Sequence, residues 1–193
     1  MEFALVPSRR CGTCHSCCVD LTIAAPELSK PAGALCPNCL IGLGCKIYAQ
    51  RPPVCRDWYC GWRGLDWIAE GMRPDLSGVL ICPTPDVPDG YEGDQGLEFA
   101  LLTDDAIASP GLAEAMAHAI RANIATFLCV MGAAGKRGAR MLLNNELTDA
   151  ARAGNSARLT RELRQLRLYL RVMERETMHK DLHSFTAPVI EET

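Results

Sequence analysis

The sequence predicts an α+β fold, in which a small, irregular, cysteine-organised N-terminal module packs on short β-strands and two or more α-helices. Three observations predict it. Nine of the eleven cysteines fall within the first sixty residues. The same stretch is rich in turn-formers and lacks apolar periodicity, and a segment without a periodic core depends on staples. Beyond it, strand-like and helix-like patterns follow one another. Residues 1–64 therefore read as a metal-binding module and residues 65–193 as an α+β remainder, the two together forming one unit.

Taken in order, Val79-Leu80-Ile81-Cys82 and the alternating Leu97, Phe99 and Leu101 read as short strands. The Pro- and Asp-rich stretch from Cys82 to Gly90 reads as the loop between them. Ser109-Pro110 reads as a helix start, with Ser as N-cap and Pro at the first helical position. Leu112, Met116, Ile120, Ile124, Phe127 and Met131 follow at helical spacing. Gly132 to Gly138 is a glycine-rich break, and Ala139 to Leu143 reads as a further strand.

A long amphipathic helix is expected from about Ser156 to about Lys180. Leu159, Leu163, Leu166, Leu170, Met173 and Thr177 mark one side, and Arg161, Arg164, Arg167, Arg171 and Arg175 the other. Residues 74–120 carry nine acidic side chains and no Lys or Arg, so the arginine face reads first as solvated surface complementing that segment. A protein partner docking on the 156–180 helix is the sharper alternative.

Charged residues make up 22% of the chain and hydrophobic ones 48%, a globular rather than disordered balance. A net charge of −3 argues against nucleic acid as a bulk partner. No stretch approaches the ~18 apolar residues of a membrane span. The start has too short an apolar run for a signal peptide, with its basic pair on the wrong side. A cytoplasmic location is therefore expected, and reduced thiols there point to metal or redox chemistry rather than to a disulfide framework.

The opening run is Cys11-Gly-Thr-Cys14-His-Ser-Cys17-Cys18. Four thiolates hold a tetrahedral zinc ion or an iron–sulfur cluster, and a two-residue gap lets one tight turn present two of them. Cys11, Cys14 and Cys17 can thus come from one loop. Cys17 and Cys18 diverge in an extended segment, so they are more easily given to two sites than to one ion. The bacterial ferredoxin pattern fails, because Val19-Asp20-Leu21 stands where a Cys-Pro is needed. Cys36, Cys39, Cys45, Cys55 and Cys60 follow.

With the Cys45-Lys-Ile-Tyr segment, the Arg51-Pro52 step, and Cys55-Arg56 followed by Cys60, the chain resembles the cysteine-cluster family named for its CxxCxxCC motif. Its members are described as zinc- or iron-chelating proteins, and some as Fe–S oxidoreductases. The resemblance implies Cys11, Cys14, Cys17, Cys18, Cys36, Cys45, Cys55 and Cys60 as metal ligands. Cys39 lies outside the pattern, and whether Cys36 or Cys39 serves is open. Eight cysteines make two sets of four, so more than one metal centre is expected. The resemblance covers about the first third of the chain.

Residues 1–64 hold seven Lys/Arg against four Asp/Glu, which suits a site whose thiolates leave net negative charge. Cys82 and Cys129 read as small core residues, in a strand and a helix pattern respectively. His15 reads as a solvent-facing or supporting group, and His179 and His183 as part of a frayed helix end. Trp58, Tyr59 and Trp62 are expected to roof the module. No glycine-rich phosphate loop, Ser-His-Asp arrangement or HExxH motif is present, so nothing supports hydrolase or nucleotide chemistry.

The expected function is cytosolic binding of zinc or iron, as mononuclear ions or an Fe–S cluster. The alternatives are an Fe–S redox enzyme or electron-transfer partner, and an adaptor whose metal is structural and whose arginine-faced helix binds a protein.

Overall fold

The structure, a computed structural model, describes residues 4–132, 136–173 and 175–176. Its N-terminal third is built from short pieces. Helix α1 (Ser16–Val19) is followed by the hairpin β1 (Ile23–Ala25) and β2 (Leu28–Lys30), then by the hairpin β3 (Cys39–Leu40) and β4 (Gly44–Cys45). The single-turn helices α2 (Pro53–Arg56), α3 (Gly61–Gly64) and α4 (Pro74–Ser77) lead into the rest of the chain. Gly44 has φ +79°, and a Cβ there would run into the backbone oxygen of Gly12. Only glycine lets this hairpin lie directly against the opening cysteine loop.

The remainder is organised by a four-stranded sheet in the order β5 (Val79–Thr84), β6 (Gly96–Leu101), β7 (Thr126–Val130) and β9 (Ala139–Leu142). The short β8 (Lys136–Arg137) precedes β9 in sequence and lies in a separate two-stranded pairing. The β5–β6 and β7–β9 pairs are antiparallel, and β6–β7 is parallel. The parallel step is made by the crossover helix α5 (Leu112–Arg121), as a parallel pair requires. Helices α6 (Asn144–Arg152) and α7 (Ser156–Met173) pack with α5, and β10 (Arg175–Glu176) pairs antiparallel with β8. The fold is α+β.

One apolar core runs from Leu21, Cys60, Trp62 and Leu65 through Phe99 and Leu128 to Leu159, Leu163 and Leu170 of α7. Two buried arginines join the cysteine-rich part to the residues after it. The Arg9 guanidinium donates to the carbonyls of Leu65 (2.8 Å), Asp66 (3.3 Å), Trp62 and Ile68, and pairs with Glu70 at 2.8 Å. Arg63 returns the tie, donating to the carbonyls of Val6 (3.1 Å) and Arg9. Gly61 makes the same junction tight, because a Cβ there would clash with the Ile81 side chain.

Several expectations need correction. The helix expected to start at Ser109-Pro110 starts at Leu112, with Gly111 as N-cap at φ +88°; Ser109-Pro110 forms the preceding turn. The helical spacing that continues to Met131 is only half helix. Asn123 turns left-handed at φ +56°, and Phe127 and Cys129 lie in β7. Every residue of β7 is buried, and a fully buried strand has no alternation to tell it from a helix. All of β6 is buried as well, so Leu97, Phe99 and Leu101 alternate with equally buried neighbours.

The strand from Val79 extends through Pro83 to Thr84, which moves the loop's start; β5 is an edge strand, where a proline costs no sheet hydrogen bond. Helix α6 has no counterpart among the expected elements. Its Asn144 is buried and locks the start of β7, accepting from Thr126 N–H at 2.8 Å and donating to Ile124 O at 2.9 Å. Helix α7 spans Ser156–Met173 and Arg175–Glu176 form β10, so the helix expected to run to about Lys180 does not reach that far. Thr177, His179 and His183 lie outside the described residues. Within the acidic segment, Asp104 pairs with two members of the arginine face, Arg167 (2.9 Å) and Arg171 (2.7 Å). Those guanidinium groups hold the Asp104 carboxyl below its usual pKa. Among the described residues, no helix is long and apolar enough to cross a membrane.

Candidate metal centre

Cys11, Cys14, Cys17, Cys18, Cys36, Cys45, Cys55 and Cys60 all line one cavity of about 90 Å³ between the N-terminal pieces and the edge of the sheet. They arrive from four places: the opening loop with α1, the chain around the β3–β4 hairpin, α2, and the N-cap of α3. Pro74 and Leu80 close the wall from the remainder. All eleven cysteines are free thiols. Cys39 is 3% exposed and does not line the cavity. It sits opposite Cys45 across the hairpin, and its thiol hydrogen-bonds with that of Cys18. Cys82 and Cys129 are buried in β5 and β7, both in strands.

The backbone already solvates several of these sulfurs. The N–H of Ser16 donates to Cys14, that of Ile47 to Cys45, and those of Trp62 and Arg63 to Cys60. In each case a donor lies two residues after its cysteine, so the turn that presents the sulfur also stabilises negative charge on it. Burial works the other way. It raises the thiol pKa of Cys14 and Cys45, and pushes Cys55 up to about 11 and Cys60 up to about 12. Cys18 is raised first by its hydrogen bond with Cys17 and then by burial. At neutral pH these groups are thiols until a cation takes the proton's place.

Cations surround the cavity. Lys30 is buried, with Nζ donating to the carbonyls of Val19 (3.1 Å), Pro31 (3.1 Å) and Leu21, and its charge is felt by Cys36 and Cys18. Arg51 lies over the Tyr48 ring at 4.0 Å and donates to Tyr59 Oη at 3.3 Å. Arg73 reaches Thr13 Oγ1 at 3.3 Å, beside Cys14 and Cys11, and Arg63 forms part of the wall. Tyr48 Oη donates to Cys11 Sγ at 3.5 Å. Nothing in the motif spacing points to Lys30 or Arg73. Arg73 comes from beyond residue 64 and reaches the loop only through the fold.

Among the described residues lining the cavity there is no Asp, Glu or His. His15 is outside the lining, at the N-cap of α1, with Nδ1 3.3 Å from Thr13 O. Trp58 and Tyr59 line the cavity, whereas Trp62 does not: it is buried in the core with Nε1 donating to Glu70 O at 3.1 Å. Among the described residues, no three His, Cys, Asp or Glu side chains already converge as a set able to hold a metal ion. Seating one requires the thiols to draw closer. The donor set nonetheless favours a soft ion, since eight thiols line the cavity with no carboxylate or imidazole beside them, and hard ions are held chiefly by carboxylate and carbonyl oxygens. Comparison with protein-family models, curated proteins and solved structures returned no match.

Proposed function

We propose that the protein is a cytosolic metal-binding protein whose eight cavity cysteines hold zinc or iron, as mononuclear ions or an Fe–S cluster. The observation that carries this reading is the lining itself: eight free thiols, no carboxylate or imidazole, and N–H donors already aimed at three of the sulfurs. Inert packing thiols need neither the N–H donors nor the ring of Lys and Arg. The test is the optical spectrum and elemental content of protein purified without oxygen. Broad absorption bleached by dithionite, with iron and sulfide, identifies Fe–S and the redox alternative. A colourless protein with stoichiometric zinc identifies a zinc site. Colourless, metal-free protein contradicts the proposal.

Cys39→Ser should leave metal content nearly unchanged, because Cys39 is outside the cavity lining, whereas Cys36→Ser should lose an ion. Metal stoichiometry of the two variants decides it, and the reverse result gives Cys39 the ligand role. A pH effect follows from the same burial. A thiol whose pKa is raised on folding stabilises the fold below its unfolded value near 9, and that contribution is lost as pH rises towards the folded value. With Cys60, which belongs to the common core, pushed up to about 12, metal-free protein should lose stability as pH rises above 9. Thermal melts at pH 8 and pH 10.5 check this; equal midpoints contradict it.

The adaptor alternative has one observation in its favour. Leu168 (57% exposed), Tyr169 and Val172 (83% exposed) stand on the outer side of α7 with exposed Arg161 and Arg164.

A further inference from the structure

Resting on the thiolate–metal reading, we infer that the cavity holds two separate four-thiolate centres: one formed by Cys11, Cys14, Cys17 and Cys60, the other by Cys18, Cys36, Cys45 and Cys55. The split follows the way the chain delivers the sulfurs. Cys11 and Cys14 belong to one tight turn, closed by Cys14 N–H to Cys11 O at 2.9 Å. Arg73, tied to Thr13 in that turn, stands beside both, and Cys60 at the N-cap of α3 has them as its thiol neighbours.

The second set is assembled by different contacts. Cys36 N–H donates to Cys18 O at 2.9 Å, and Cys39 N–H donates to Cys36 O at 2.9 Å, opening the hairpin whose far strand carries Cys45. Lys46 N–H closes that hairpin on Asn38 O at 2.8 Å. Cys55, on α2, has Cys18, Cys36 and Cys45 as its thiol neighbours, and Lys30 stands beside Cys36 and Cys18.

Cys17 and Cys18 are the hinge between the sets. They are successive residues of α1, so their Cα–Cβ bonds leave the helix about 100° apart, and their thiols hydrogen-bond to each other where the two sets meet. Cys18 is committed by its main-chain link to Cys36. Cys17, three residues after Cys14 as Cys14 is three after Cys11, completes the first set. Two divalent ions with eight thiolates carry about −4, and Lys30, Arg51 and Arg63 offset part of it; Arg73 is already paired with Asp75 at 2.7 Å.

The test is cadmium NMR of full-length protein reconstituted with cadmium without oxygen. The wild type should show two resonances at sulfur-rich shifts. Cys60→Ser should abolish or strongly shift one of them and Cys55→Ser the other, with bound cadmium halved where an ion is lost. Cys11→Ser should repeat the Cys60→Ser pattern and Cys36→Ser that of Cys55→Ser, so a single badly folded variant does not decide the matter. If either member of a pair removes both resonances while its helical circular dichroism is retained, or if the pairs cross over, the partition is overturned and the metal reading stands. A wild type that takes up no cadmium overturns the metal reading and the partition with it.

Discussion

Stripping the metal should unfold the first fifty or so residues while the four-stranded sheet and its helices stay folded. Strands of two or three residues and single-turn helices have little independent stability, and the pieces before Gly61 consist of these. Metal binding in modules of this kind contributes about 10 kcal/mol or more to folding. The sheet keeps its own core, with Phe99, Leu128, Met116 and Leu163 fully buried. Limited proteolysis after chelation should therefore cut in the β1–β4 region and around α2 first. Protection should begin near Gly61, where Cys60 and Trp62 enter the common core. Uniform resistance along the chain after proven metal removal contradicts this.

Arg9→Met should destabilise the whole protein by about 3–5 kcal/mol, a fall in melting temperature of about 10 °C. One guanidinium, on a residue 4% exposed, serves the carbonyls of Trp62, Leu65, Asp66 and Ile68, and a methionine in its place has no donor to offer them. The ion pair adds little, since the Glu70 side chain is 72% exposed, and Glu70→Gln should cost less than about 1 kcal/mol. Metal content of Arg9→Met should equal that of the wild type, because Arg9 is not part of the cavity wall. Melting curves with parallel elemental analysis check both statements; an unchanged midpoint shows the arginine to be dispensable.

What the sequence conveys about this fold depends on whether a residue's surroundings leave a period. Helix α7 is legible because it has a wet side and a dry side, with Leu159 and Leu163 in and Arg161 and Arg164 out. Strand β7 is not, since Thr126 to Val130 are all buried and their spacing happens to extend that of α5. Asn144 is invisible for a different reason: its value lies in bonds to Thr126 and Ile124, eighteen and twenty residues away. At the cavity, the eight cysteines that the family resemblance implies are the ones that line it, and Cys39, outside that pattern, is not among the lining residues. The cationic excess of residues 1–64, with Lys30, Arg51 and Arg63 in it, is legible in composition, but Arg73 comes from beyond that stretch and reaches Thr13 of the opening loop only through the fold.

Cysteine alkylation mapped by mass spectrometry, on native protein before and after chelation, tests the central claim most directly. If metal occupies the cavity, its eight cysteines are protected in the native protein and become reactive together, or in two groups of four, once the metal is removed. Cys82 and Cys129, buried in the sheet, stay protected in both states. Equal labelling of the eight cavity cysteines with and without chelator would mean that packing alone shields them, and would contradict the account.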